Sequence, residues 1–236
     1  MPITKPTILF EDEAIIVCVK PSGIASQSAK SFQPDMTDLL RQHIVAATGK
    51  KGESYIGVIH RLDQPVGGVM VYAKTPAAAA FLSRQTAEHS MCKKYYAVLF
   101  GIMPDTQGTL TDFLAKDAKT NTSSVVPEAA KDAKKAVLDY KILDTISRNG
   151  MDLSLADITL HTGRHHQIRV QFANTGCPLL DDNKYNKKQT QRISSLGLFS
   201  YSLTFIHPLT KKEVSFGFAP DYAPFTWFGN DFNFLQ

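Results

Sequence analysis

Residues 60–70 read HRLDQPVGGVM. A carboxylate, Asp63, stands two residues after Arg61 and is followed by Gly67-Gly68 and an apolar run, Val69–Lys74 (VMVYAK). Glycines permit positive φ or the close approach of another chain or a ligand. A strand directly behind them anchors the loop, as loops that carry chemistry often are anchored. Spacing alone leaves two readings open. Asp63 pairs with Arg61 or another surface cation, a contact worth little, or it is the one carboxylate on which a reaction depends.

A second constellation is HTGRHHQIRV, His161–Val170. Arg164, His165, His166, Gln167 and Arg169 crowd donors at the start of an expected helix, where the helix dipole already favours anions. That suits RNA phosphate, or a carboxylate that must stay ionised, because a nearby arginine lowers a carboxylate's pKa. A solvated helix start is the plainer alternative. The histidines do not read as a metal site: Gly163 interrupts their spacing and no glutamate completes an HExxH pattern. The third constellation is KKYYAVLFG, Lys93–Gly101. Adjacent Tyr95 and Tyr96 face opposite sides of a strand. One packs inward, and the other can stack on a base and offer its hydroxyl. A plain core strand is the alternative here.

These groups need elements to hold them. Ile8–Glu11 and Ala14–Lys20 read as a hairpin ended by Pro21-Ser22-Gly23. Thr37 is the expected cap of a helix from Asp38 to about Thr48, with Gly49 beyond it. Lys50–Ser54 reads as a polar loop. Thr75-Pro76 starts a helix that runs to about His89, and Lys94–Phe100 is a strand. Pro104–Lys135 turns polar and patternless, and is read as short strands and a long excursion, Lys116–Lys135, expected to be exposed and mobile. Ala136–Thr145 and Met151–Leu160 flank Asn149-Gly150, a strong hairpin signal. Arg164–Thr175 has helical spacing with Gly176 as its stop. Leu198–Ile206 and Glu213–Phe218 form a last pair, and APDYAPFTWF an irregular tail. Strands outnumber helices without regular β-α-β alternation. The reading is α+β: one domain over 1–236 with a mixed, mostly antiparallel sheet and flanking helices.

A hydrophobic fraction of 43% over 236 residues is enough for a real core. Net charge of +4 permits an anionic partner without demanding one. The three dispersed cysteines, Cys18, Cys92 and Cys177, argue against a disulfide framework or a structural zinc site and favour a reducing, cytoplasmic setting. No signal peptide is evident, and no stretch approaches the roughly 20 apolar residues of a membrane span.

Taken in order, the motifs resemble the RluA-type pseudouridine synthases. They are ILFEDEAIIVCVKPSG, HRLD with GGVMVYAKT, KxYxAxxxG, LxTGRxHQIR, GCPLLDDxxY and a final LxFxHP, covering about Ile8 to Pro220. The resemblance implies one mixed, largely antiparallel sheet with a cleft across it, and a reaction that turns uridine within RNA into pseudouridine. No cofactor or metal is expected, since no electrons or groups are imported. The partner is RNA, ribosomal or transfer, and a monomer without an N-terminal S4 domain is the simplest expectation. Residue by residue, Asp63 matches the catalytic aspartate and Tyr95 the active-site tyrosine. Arg169 matches the arginine that pairs with that aspartate. Arg61 matches the residue associated with opening the RNA and holding the flipped nucleotide. Ile168 is expected to wall the uracil pocket, and His60, Arg164, His166 and Gln167 join the substrate-binding set. Lys184, Lys187, Lys188 and Arg192 form the most suggestive cluster for backbone contact, with a solvated loop as the alternative. Two positions depart from the pattern: Gly67 replaces a usual serine and His165 a usual threonine. A glycosidase-like hydrolase wants two carboxylates, and Asp181 or Asp182 is available as the second. Their LLDDNKY context instead matches a structural loop of the synthases. An inactive RNA-binding protein of the same fold is the other alternative.

Overall fold

The structure, a computed structural model, describes residues 6–27, 33–49, 54–190 and 192–229. Residues 1–5, and 50–53 of the expected polar loop, lie outside the described residues. In chain order the strands are β1 (Thr7–Glu11), β2 (Ile15–Lys20), β3 (Gly57–Val58), β4 (Gly67–Ala73), β5 (Cys92–Phe100), β6 (Gln107–Asp117), β7 (Thr122–Val125), β8 (Lys134–Arg148), β9 (Met151–Leu160), β10 (Leu198–Ile206) and β11 (Glu213–Gly217). The helices are α1 (Met36–Thr48), α2 (Pro76–Ala87) and α3 (Gln167–Asn174), with a 3₁₀ turn at Phe225–Phe228. This is the expected α+β class. Among the described residues no helix is long and apolar enough to cross a membrane. The chain packs as two compact units, Met1–Cys92 with Ser200–Phe218 and Lys93–Phe199 with Ala219–Gln236.

In the first unit β1 and β2 form the expected hairpin. Asp12 makes its turn by accepting from the Ala14 and Ile15 amides, each at 2.8 Å. Every residue of β2 and of its antiparallel partner β4 is buried, which is why both read as nearly unbroken apolar runs. β3 pairs with β4, β10 lies beside β4, and β11 pairs with β10. Helix α1 starts two residues earlier than its expected first residue. Asp35, not Thr37, is the cap: Asp35 accepts from the Thr37 and Asp38 amides, and Asp38 accepts from the Asp35 amide. That reciprocal box satisfies donors a lone Thr37 would leave open. Gly49 closes the helix at φ 67°. Helix α2 begins as expected, with Thr75 accepting from the Ala78 amide and Pro76 in the first turn. Its buried Ala78 and Leu82 join Ile15, Val17, Val69, Val71, Leu203 and Phe205 in the core of this unit.

The second unit is an antiparallel sheet in the order β5-β9-β8-β6-β7. Asn149 and Gly150 both take positive φ, 53° and 74°, as a tight β8–β9 hairpin requires. Strands are present in this stretch, as expected, but they are longer and they enter the excursion. β6 is 11 residues long, and β7 returns on it from Thr122 to Val125. The length of β6 was hidden because it has little to alternate: only Leu114 is buried along it. Leu114 packs with Ala136, Val125, Val170 and Tyr185, which ties the excursion to α3. The aromatic tail is also more regular than expected, with Phe225 fully buried against Phe199 and Tyr222.

The β2–β4 register sets Lys20 opposite Gly68. The KPSG turn and the glycine end of the Asp63 loop therefore emerge together. Gly68 has φ 136°, and a Cβ there would stand 2.3 Å from the Ser200 carbonyl oxygen. Gly68→Ala should lower stability by about 2–4 kcal/mol in urea denaturation, from backbone strain and the clash together. A loss below about 0.5 kcal/mol would show that β10 yields without cost.

Candidate active site

The loop that carries Asp63 is held by backbone bonds on both sides. Ser26 Oγ donates to the Leu62 carbonyl at 2.8 Å and accepts from the Leu62 amide at 3.0 Å. The Val71 amide donates to His60 Nε2 at 3.3 Å, and the Val66 amide closes a turn on the Asp63 carbonyl at 2.9 Å. The Gly23 amide donates to the Gln64 carbonyl at 2.8 Å, Gln64 Nε2 donates to the Gly23 carbonyl at 3.0 Å, and Ser22 Oγ donates to the Pro65 carbonyl at 2.6 Å. Asp63 itself is half-buried, while Arg61 is exposed.

Lys20 completes the clamp. It has no exposed surface, and its ammonium donates to the carbonyls of Pro21 (3.1 Å), Ile24 (2.6 Å) and Gln64 (3.1 Å). Three acceptors match the three protons of an ammonium group. Burial pushes its pKa down to about 7, and the negative charge of Asp63 opposes that shift. Sequence reading passed over Lys20. The signal was the KPSG turn, where a lysine at the end of an apolar strand precedes a turn that needs a fastener.

The other candidate residues lie in the second unit. Tyr95 is buried in β5 opposite Ile158, and Tyr96 is buried as well. Lys93 shares the Tyr95 face of β5, and burial holds its ammonium below the ordinary lysine range. In α3, Ile168 and Arg169 are both buried. Arg169 Nε and Nη2 donate to the two oxygens of Asp182 at 2.8 and 2.7 Å. Both side chains are almost wholly buried. This forked geometry fixes the guanidinium plane. Asp182 Oδ1 also accepts from the Lys184 and Tyr185 amides. Through those amides Asp182 ties its own loop together, while its partner Arg169 stands 13 residues away.

The donors at the start of α3 are largely turned to internal work. Gln167 Oε1 accepts from Thr162 Oγ1 and from the Arg164 amide, and Gln167 Nε2 donates to the Val137 carbonyl. Arg164 Nε donates to the Lys135 carbonyl at 2.9 Å. His166 Nδ1 lies 2.6 Å from the Tyr185 hydroxyl, and His165 Nδ1 lies 2.8 Å from Ser123 Oγ. The two imidazoles stack at 3.7 Å. His165, the departure from the usual threonine, thus ties β7 to α3. His161 pairs instead with Asp139 at 2.6 Å on the surface.

The chain matches the description RNA pseudouridylate synthase over residues 14–174. The ribosomal large subunit pseudouridine synthase D of Zymomonas mobilis is 31% identical over 219 residues, covering 89% of this chain and 67% of that protein. The chain belongs to the RNA pseudouridylate synthase family. The ribosomal large subunit pseudouridine synthase C of Buchnera aphidicola is 30% identical over 223 residues, covering 92% of this chain and 67% of that one. The chain thus spans about two thirds of the length of these relatives. The solved human RNA Pseudouridylate Synthase Domain Containing 1 shares the fold, with a TM-score of 0.75 over 93% of this chain and 86% of that one at 19% identity. Pseudouridine synthases are isomerases, and the family span holds the Asp63 loop, Tyr95 and Arg169.

Lys20 makes a pH prediction. Its folded pKa, about 7, lies below the roughly 10.4 of an unfolded lysine. Below pH 7 both states hold the proton, and the folded state bears the whole cost of the buried charge. Between about 7 and 10.4 the unfolded chain holds a proton that the folded one has released, so stability rises with pH. Urea denaturation at pH 6 and pH 9 should show the wild type gaining on Lys20→Met across that window. A flat difference would show that the three carbonyls keep the ammonium charged throughout.

Proposed function

We propose that this chain isomerises particular uridines of RNA to pseudouridine, with Asp63 as the reacting carboxylate. The observation that carries this is the half-buried carboxylate on a loop fastened from behind by Lys20, Ser22 and Ser26, in a chain of this family. A carboxylate that must meet one sugar atom has to be held to about half an ångström, and a fastened loop does that.

The reaction breaks the bond between the sugar and ring nitrogen 1. The uracil then turns, and its carbon 5 bonds to the same sugar carbon; carbon 5 loses its proton and nitrogen 1 gains one. One carboxylate serves two routes. It attacks the anomeric carbon, as the nucleophile of a retaining glycosidase does, or it removes the 2′ proton and the reaction passes through a glycal. Both need an ionised, poorly solvated carboxylate close to the sugar. The target base is out of reach inside a helix, so it is flipped out at a cost of a few kcal/mol. Tyr95 stacks on the flipped base and serves the late proton transfer from carbon 5. Ile168 walls the base, and Arg61 holds the opened RNA. Arg169, held in one orientation by Asp182, is the residue that the family resemblance pairs with the reacting carboxylate.

Ribosomal RNA is the first substrate to test, because the relatives quoted above are named for the large ribosomal subunit. Transfer RNA is the second. The reading places the chain in the cytoplasm as a monomer. Incubation with ribosomal RNA, followed by nucleoside analysis, should yield pseudouridine with no free uracil. Tyr95→Phe keeps the ring and should lower kcat about 100-fold with little change in KM, the scale of a lost proton-transfer group. Free uracil would instead point to hydrolysis. RNA binding without any change in the bases would favour an inactive binding protein.

A further inference from the structure

Four cations follow α3, and the structure sorts them. Lys184 Nζ donates to the Asn121 carbonyl at 2.5 Å and Lys188 Nζ to the Gly176 carbonyl at 2.6 Å. Both are engaged with backbone. Lys187 and Arg192 are not disposed of in this way. Both are exposed and line a cavity of about 270 Å³, together with Asn183 and Thr190. Among the described residues Lys187 makes no hydrogen bond, and Arg192 uses only Nε, toward the Ser194 carbonyl at 2.9 Å.

We infer that this cavity binds a phosphate of the RNA backbone, away from the uridine that reacts. The inference rests on the RNA reading above. Its first support is the state of the two carboxylates in the lining. Asp181 and Asp182 also line the cavity, and two carboxylates would repel an anion unless donors already engaged them. Asp181 accepts from Gln189 Nε2, the Ile193 and Ser194 amides, and Ser194 Oγ. Asp182 is neutralised by Arg169 and accepts two further amides. All four acceptor sites of Asp181 are thereby filled, and Asp182 accepts four bonds, three at Oδ1 and one at Oδ2. Asn186 is filled likewise, its oxygen accepting from the Lys188 and Gln189 amides and its nitrogen donating to the Leu179 carbonyl and Gln189 Oε1.

What remains to meet a ligand is an ammonium, the outer guanidinium nitrogens, an amide and a hydroxyl. Such a set suits a phosphate. The size agrees: the cavity lies just below the roughly 300–1,000 Å³ of sites that enclose a whole small molecule, yet has ample room for one phosphate group. The loop that carries the lining residues is anchored at both ends. The Leu180 amide donates to the Val98 carbonyl and the Val98 amide to the Gly197 carbonyl, each at 2.9 Å, which fastens both ends of the loop to β5. The location also matters. Asp182 lines the cavity and holds Arg169, so RNA docked here is registered against the residue that the function uses.

The test is salt-dependent binding of a labelled 12-nucleotide oligouridine. Each phosphate contact on a single strand contributes about 0.7 to the slope of log affinity against log salt. Lys187→Gln and Arg192→Gln should each weaken binding several-fold at 0.1 M salt and lower that slope by about 0.7. Lys131→Gln removes an exposed charge elsewhere in this unit and should leave the slope unchanged. Micromolar inorganic phosphate should not displace the probe. Unchanged slopes in both cavity variants, or an equal fall in Lys131→Gln, would overturn the site while leaving the RNA reading standing. Displacement by micromolar phosphate would overturn it in favour of a small phosphate ligand. Failure of the wild type to bind RNA at all would remove the RNA reading and the site with it.

Discussion

The ammonium of Lys20 is sealed from solvent and given to three carbonyls, one of which belongs to the residue directly after Asp63. Moving such a charge out of water costs several kcal/mol unless its bonds are complete. The KPSG turn and the Asp63 loop must therefore form together, or the lysine is left without acceptors. Gly68 adds a second condition at the same end of the strand pair, because β10 passes where any side chain would stand. A half-buried carboxylate on this loop inherits its position from both constraints. Neither constraint touches a substrate.

The second unit solves the same problem with an ion pair. Arg169 in α3 is locked by Asp182, whose Oδ1 also accepts from two backbone amides. Removing one member of a buried pair typically costs about 3–5 kcal/mol, because the other is left charged and unpaired. The pair is better understood as a device for direction than for stability. It gives a guanidinium one orientation in a unit otherwise built from strands. His165 and Ser123 extend this order to β7, so the excursion that carries β7 is part of the framework rather than an appendage.

Much of this was legible in the residues. The hairpin at Asn149-Gly150, the Thr75-Pro76 helix start and the central strands follow from turn chemistry and apolar runs, which act locally. The failures share a cause. β6 exposes or half-exposes nearly every side chain, so it has no alternation to read. Asp35 caps α1 through a reciprocal bond with Asp38, while Thr37 looked adequate on type alone. Lys20, Asp182, Lys184 and Lys188 each owe part of their role to an acceptor or donor at least 12 residues away, and residue type alone makes all four look like surface charges. Asp63, Tyr95 and Arg169 stood out only through their resemblance to a family, since spacing left each with a plain structural alternative.

The central claim is that the carboxylate of Asp63 reacts. The most direct measurement is transcriptome-wide pseudouridine mapping in cells that carry the wild-type gene, lack it, or carry Asp63→Asn at matched protein levels. The account predicts that particular sites vanish without the gene and stay absent with Asp63→Asn, a change that removes the charge and keeps the shape. Restoration of those sites by Asp63→Asn would contradict it.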